Sequence, residues 1–187
     1  MARGTTPTRA PGRPRSSVDA EVFAATLNTV HELGYTRATV DRIAATAGVA
    51  KTTIYRRWPS KGALITACLV DAFGPLPLKE GDSRAQMMAT AIRYAAAKIG
   101  EPGIAAAFAG VFTDAIGDPG LREILSTQLQ DPYRTVLQDV LSEPEHRVLF
   151  FIDVVIGALL QRMGMTGEPM IPTDVDALVE MILRELG

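Results

Sequence analysis

The chain has 187 residues, 47% of them hydrophobic, so it can bury a full core and is no disordered polyampholyte. With 16 Gly, 12 Pro and one Cys it is neither collagen-like nor a disulfide framework. The net charge of −2 hides an asymmetry: residues 1–62 hold ten basic and four acidic side chains, a balance of +6, whereas the remainder stands at −8. A basic first third suits a polyanionic partner.

Residues 1–16 are rich in Pro, Gly, Arg and Thr and read as a disordered basic arm. Within it, Pro11-Gly12-Arg13-Pro14-Arg15 resembles the core of an AT-hook. Arg13 and Arg15 could then enter a narrow minor groove, whose potential attracts arginine; the alternative is a solvated tail. Helical spacing begins at Ser17, a possible N-cap, with Val22, Leu27, Val30 and Leu33 in phase and Gly34 closing the helix. Thr39 is positioned to cap Val40 to Ala47, and Gly48 breaks that helix. Ala50 to about Arg57 forms a third helix, stopped by Pro59. Ser60 caps a fourth, Lys61 to Phe73, and Gly74-Pro75-Leu76-Pro77 marks a joint.

The rest also reads as helix. Asp82 or Ser83 caps a segment with Met88, Ile92, Ala95 and Ile99 on one face. Ile104 to Ile116 follows, then Gly120 to Gln130. Asp131-Pro132 breaks or kinks the chain before Tyr133 to Leu141. Pro144 opens a helix to about Met163, and Thr173 or Asp174 caps the last. The longest apolar stretch, Val148 to Leu160, is too short to span a bilayer, and no signal peptide is evident. The lone Cys68 fits a reducing compartment, so a soluble cytoplasmic protein without membrane contact is expected.

The segment Thr39 to Lys61, TVDRIAATAGVAKTTIYRRWPSK, fits helix-turn-helix physics. Ala44 is small enough for close helix approach, Gly48 supplies the left-handed turn, and Val49 and Ile54 point inward. Lys51, Thr52, Thr53, Tyr55, Arg56 and Arg57 then form a basic, hydrogen-bonding surface suited to a major groove. Tyr55 offers a donor to phosphate. Thr39 and Lys61 stand at helix starts, where free N–H groups also hold phosphate.

Residues 17–62 resemble the DNA-binding domain of the TetR family of bacterial transcriptional regulators. The resemblance rests on Gly34-Tyr35, Thr39, Ile43-Ala44, Ala47-Gly48-Val49, Tyr55, Trp58 and Ser60-Lys61 in order. Thr52 stands where the family often has Gly, and Arg56-Arg57 replace commoner aromatic and His residues. Both departures bear on base preference. The second domain matches in outline, with a closing Thr166-Gly167-Glu168-Pro169 similar to an actinobacterial-type subgroup. The implied fold is all-α: an N-terminal three-helix helix-turn-helix domain, residues 17–62, plus a C-terminal antiparallel helical bundle, residues 63–187, for ligand binding and dimerisation. The implied function is a ligand-responsive regulator, a repressor released from a palindromic operator when an effector moves the helix after Lys61.

Independently of the resemblance, the Pro144–Met163 helix is apolar nearly all round, with Val148, Ile152, Val155 and Leu159 on one side and Phe151, Val154, Ala158 and Leu160 on others. Such a helix is covered twice, by its own core and by a partner, which points to a homodimer carrying two recognition helices onto double-stranded DNA; the alternative is a helix wholly enclosed in a monomer. Met88, Ile92, Phe108, Phe112, Tyr133 and Gln161 combine apolar bulk with polar tips, as the wall of a small-molecule pocket does, and favour a lipophilic effector; ordinary core is the plainer reading of each. Met87, Met163 and Met165 would suit an adaptable wall.

An enzyme is the main rival. His31 and His146 are the only histidines, neither lies in a nucleophile motif, and no phosphate-cradling Gly loop is present. Glu143, Glu145 and His146 make a poor zinc set, and acids belong at a helix start in any case. No catalytic residue, metal or cofactor is expected. The other rival, a small-molecule or protein-interaction bundle without specific DNA binding, separates from the regulator by salt-dependent DNA binding.

Overall fold

The computed structural model describes residues 15–186 and, for side chains, residues 18–186. Arg13 and the rest of residues 1–14 therefore lie outside the described residues. The described residues form ten α-helices and one π-helical segment, with no strand: α1 (Arg15–Leu33), α2 (Val40–Ala47), α3 (Lys51–Tyr55), α4 (Lys61–Phe73), α5 (Arg84–Ile99), α6 (Ile104–Gly117), α7 (Pro119–Ile124), the π segment (Leu125–Gln130), α8 (Asp131–Leu141), α9 (Glu145–Thr166) and α10 (Pro172–Leu186).

Local chemistry sets most helix ends. Thr39 accepts a hydrogen bond from the Arg42 N–H, Ser60 from Ala63, Ser83 from Gln86 and Asp118 from Leu121. Each satisfies a donor that the helix leaves unpaired. Gly48 ends α2 at φ 64°, a conformation a side chain resists. Elsewhere the sequence expectation needs correction. The first helix starts at Arg15, so Ser17 lies in its first turn and does not cap it, and Arg15 is helical where an AT-hook needs extended chain. The last helix starts at Pro172, whose missing N–H costs nothing at a first position, and not at Thr173 or Asp174.

Asp131-Pro132 does not interrupt the chain either: α7, the π segment and α8 run on without a gap. The physical reason is the proline itself. In a regular α-helix its ring collides with the carbonyl four residues back, and the wider π turn ahead of it gives room. Finally, α9 is 22 residues long and apolar enough in length and composition to cross a membrane, a longer helix than the apolar run indicated.

Two cores form. The smaller joins Val22, Val40, Ile43, Ala44, Ile54, Leu64 and Cys68. The larger runs from Val30 and Ile65 through α5, α6 and α8 to α10. Helix α4 serves both, with Leu64 and Cys68 in the small core and Ile65, Leu69 and Phe73 in the large one. A boundary at residue 62 thus falls in the first turn of a shared helix. Burial pushes the Cys68 thiol up to about 12. At the other end of the molecule, α10 lies along α5 and is tied to α9 by an Arg162–Asp174 ion pair of 2.8 Å and by Arg147 donating to the Glu185 carbonyl at 2.6 Å.

Candidate nucleic-acid interface and effector cavity

The interface is built on a small, complete core. Buried Ile54 anchors α3 against α2 and α4, and Trp58 packs on Phe23 of α1 with ring centroids 5.3 Å apart. With Ile54 inward, helical geometry turns Lys51, Thr52, Tyr55 and Arg56 outward, and all four are exposed. Thr53 is half-buried. Helix α3 is shorter than the sequence predicts: it ends at Tyr55, and Arg56 is its C-cap.

Lys51 pairs with Asp41 of α2 at 2.8 Å and lies 5.6 Å from the Tyr55 ring centroid. That contact between exposed groups is weak in water and easily exchanged for a phosphate or a base edge. Thr39 is exposed while capping α2.

Two of the predicted contact residues are directed elsewhere. Past Tyr55 the chain turns, with Arg57 and Trp58 N–H groups both donating to the Ile54 carbonyl. This swings Arg57 back to an ion pair with Asp19 on α1, half-buried and away from the exposed row. Lys61 is half-buried too. Its ammonium donates to the Tyr35 carbonyl at 2.5 Å and sits 3.7 Å from the Tyr35 ring centroid. Burial lowers its pKa and Asp114 partly restores it.

A cavity of about 650 Å³ opens in the large core. Its wall includes Met88, Ile92, Phe108, Phe112 and Tyr133. Gln161 is a correction: it is exposed on α9, outside that wall, because its position on the helix falls beyond the inward-facing Val155–Leu159 row. Met87, Met163 and Met165 do not line it either.

Sequence reasoning missed five wall residues with polar side chains: Tyr94, Arg122, Ser126, Gln130 and Asp153. No local pattern marks them; they meet only when α5, α7, the π segment and α9 pack. The Tyr94 hydroxyl donates to the Phe73 carbonyl and the Tyr133 hydroxyl to the Gly74 carbonyl at 2.5 Å. Two phenols of the cavity wall therefore hold the C-terminal end of α4. Arg122 donates to the Ala115 and Ile116 carbonyls at 2.7 and 2.9 Å and closes the end of α6. Burial, and then Tyr94, raises the Tyr133 pKa to about 12, so its hydroxyl stays a donor at neutral pH. The acids near the start of α9 are paired with arginine: Glu143 with Arg84 and Arg147, Glu145 with Arg134.

Comparison with known proteins places both halves. A family model described as "Bacterial regulatory proteins, tetR family" matches residues 22–68, and one described as "Tetracyclin repressor-like, C-terminal domain" matches residues 78–182. An uncharacterised HTH-type transcriptional regulator of Mycobacterium tuberculosis strain H37Rv is 28% identical over 180 residues, covering 91% of this chain and 88% of its own. The DNA-binding transcriptional repressor TetR of Mycobacteroides abscessus is 46% identical over 50 residues, 27% of this chain and 26% of its own. Among solved structures, a TetR transcription regulator from Haloarcula marismortui superposes with TM-score 0.66 at 17% identity, covering 89% of this chain and 94% of its own. The fatty acid degradation regulator FadR from Bacillus halodurans superposes with TM-score 0.65 at 17% identity, covering 93% and 96%. These two show the fold.

Proposed function

The chain belongs to the TetR family of transcriptional regulators, and from that premise we propose that it is a repressor released from a palindromic operator by a lipophilic small molecule. It is a DNA-binding regulator of an all-helical fold. The observation that supports ligand release is the course of α4. Its first turn is bonded to Tyr35 in the connection between α1 and α2, and its last residue, Phe73, lines the cavity. An effector that displaces the Tyr94 and Tyr133 hydroxyls from the Phe73 and Gly74 carbonyls frees that end of the helix, and the helix carries the change to the head.

Exposed Lys51, Thr52 and Arg56 read bases, and Tyr55 and the Thr39 end of α2 hold phosphate. The active form is a homodimer acting in the cytoplasm. Only 22% of the most apolar stretch of α9 is buried in one protomer, Phe150 is 59% exposed, and Met181 of the neighbouring α10 is 48% exposed. A second copy laid on α9 and α10 covers these side chains and sets two heads for a palindrome.

The test is fluorescence anisotropy with the DNA flanking its own gene, across a salt series and against random DNA. Tight, selective binding with two subunits per site is the expected result. Equal affinity for both DNAs at every salt concentration overturns the repressor reading.

A further inference from the structure

We infer that Tyr35, held by Gly110 and Asp114 of α6, is a positioning residue that fixes the orientation of the DNA-reading head relative to the cavity domain. The inference rests on the DNA-binding reading above.

Helix α6 has two working faces. Phe108, Phe112 and Ala115 line the cavity. At about 100° per residue, Gly110 and Asp114 fall on the opposite side, and Gly103 is the left-handed N-cap just before the helix. All three meet the head. A Cβ at Gly103 would strike the Leu27 carbonyl of α1, and a Cβ at Gly110 would lie inside the Tyr35 ring. Asp114 accepts a hydrogen bond from the Tyr35 hydroxyl. Only glycine permits both approaches, so α6 is seated against the head without intervening side chains at these two points.

Tyr35 lies in the connection between α1 and α2, four residues before the Thr39 cap. Its ring and hydroxyl meet α6, and its carbonyl and ring hold the Lys61 ammonium at the start of α4. One residue, through its side chain and its carbonyl, thus registers the starts of α2 and α4 against the helix that walls the cavity. A hydroxyl donating to a carboxylate belongs to the stronger class of hydrogen bond. Burial first, and then Asp114, pushes the Tyr35 hydroxyl above its usual pKa, so it remains a donor throughout the neutral range.

Continuity through α4 alone leaves the head free to swivel about one axis. A second attachment removes that freedom. In a dimer reading a palindrome, this freedom decides which half-site separations both heads can reach together. The joint therefore shows itself in spacing preference, a property that a simple phosphate contact or a purely structural residue does not alter.

The experiment uses the full-length protein, an operator chosen by selection from random DNA, and versions with one or two base pairs added or removed between the half-sites. Tyr35→Phe removes one hydroxyl, Gly110→Ala forces the ring away, and Asp114→Asn keeps an acceptor. Tyr35→Phe and Gly110→Ala are expected to lose about tenfold in affinity at the preferred spacing, the equivalent of one good hydrogen bond, and less at neighbouring spacings, which flattens the profile. Asp114→Asn falls between them and the parent, and weak binding to random DNA stays unchanged. In parallel, hydrogen exchange without DNA is expected to quicken at residues 35–47 in the first two variants. An unchanged spacing profile, or an equal loss on every DNA, overturns the inference. If the parent selects no DNA, the regulator reading fails on its own, and exchange decides the joint: faster exchange at residues 35–47 supports it and unchanged exchange overturns it.

Discussion

The head and the cavity domain use apolar side chains in opposite ways. The head closes a small core completely around Ile43, Ile54 and Leu64 and leaves its chemistry on one exposed row. The cavity domain ranges more side chains over more helices and leaves about 650 Å³ open in its middle. A site that contacts a large rigid polyanion needs only correct spacing on a rigid support. A site that encloses a small molecule needs space, and space is a property of how helices meet.

The contrast predicts different responses to substitution. The largest effect belongs to the head: Ile54→Ala, at a side chain 1% exposed, should cost about 2–5 kcal/mol in denaturant unfolding and abolish DNA binding, since little else fills that core. In the cavity domain the effect of losing one contact at the wall is more modest. Tyr133→Phe strands the Gly74 carbonyl and should cost about 1 kcal/mol in the same measurement. It should also weaken operator binding in the absence of any effector, because the end of α4 is half released; unchanged operator affinity breaks the proposed link.

Filling the space should cost less still. Ala95→Leu extends a half-buried wall residue into the opening, and a change in melting temperature of no more than a few degrees, with operator binding retained, is expected. A large loss of stability there would mean that the opening is ordinary tight core. The smallest effect is chemical. With its thiol pKa raised to about 12 by burial, Cys68 stays neutral in the folded head. In the unfolded chain it ionises near the usual 9.0, so its contribution to stability is complete below pH 9 and fades as pH rises toward 12. Alkylation at pH 8–9 should therefore be slow in native protein and fast in denaturant.

The regions also differ in how far they can be read from sequence. In the head, the Thr39 cap, the Gly48 turn, inward Ile54 and the exposed Lys51, Thr52, Tyr55 and Arg56 all follow from spacing within twenty-odd residues. The exceptions are the two cations that find distant partners, Arg57 with Asp19 and Lys61 with Tyr35. Composition marks them as basic, yet only the packing of α1 and the α1–α2 connection decides where that charge goes. In the cavity domain, periodicity placed Met88, Ile92, Phe108, Phe112 and Tyr133 on apolar faces, and the wall does contain them. It also suggested Gln161, which is exposed, and passed over Tyr94, Arg122 and Asp153.

The amino-acid sequence by itself determined the helices, most of their caps, the charge division between the two parts and the face that α3 presents, because each depends on residues a turn or two apart. Tertiary structure alone decided the rest. It set the phenol contacts at the end of α4, the open volume between α5, α6, α8 and α9, and the seating of Tyr35 on Gly110. Each joins groups far apart along the chain, and their distances are settled only when whole helices come to rest against one another.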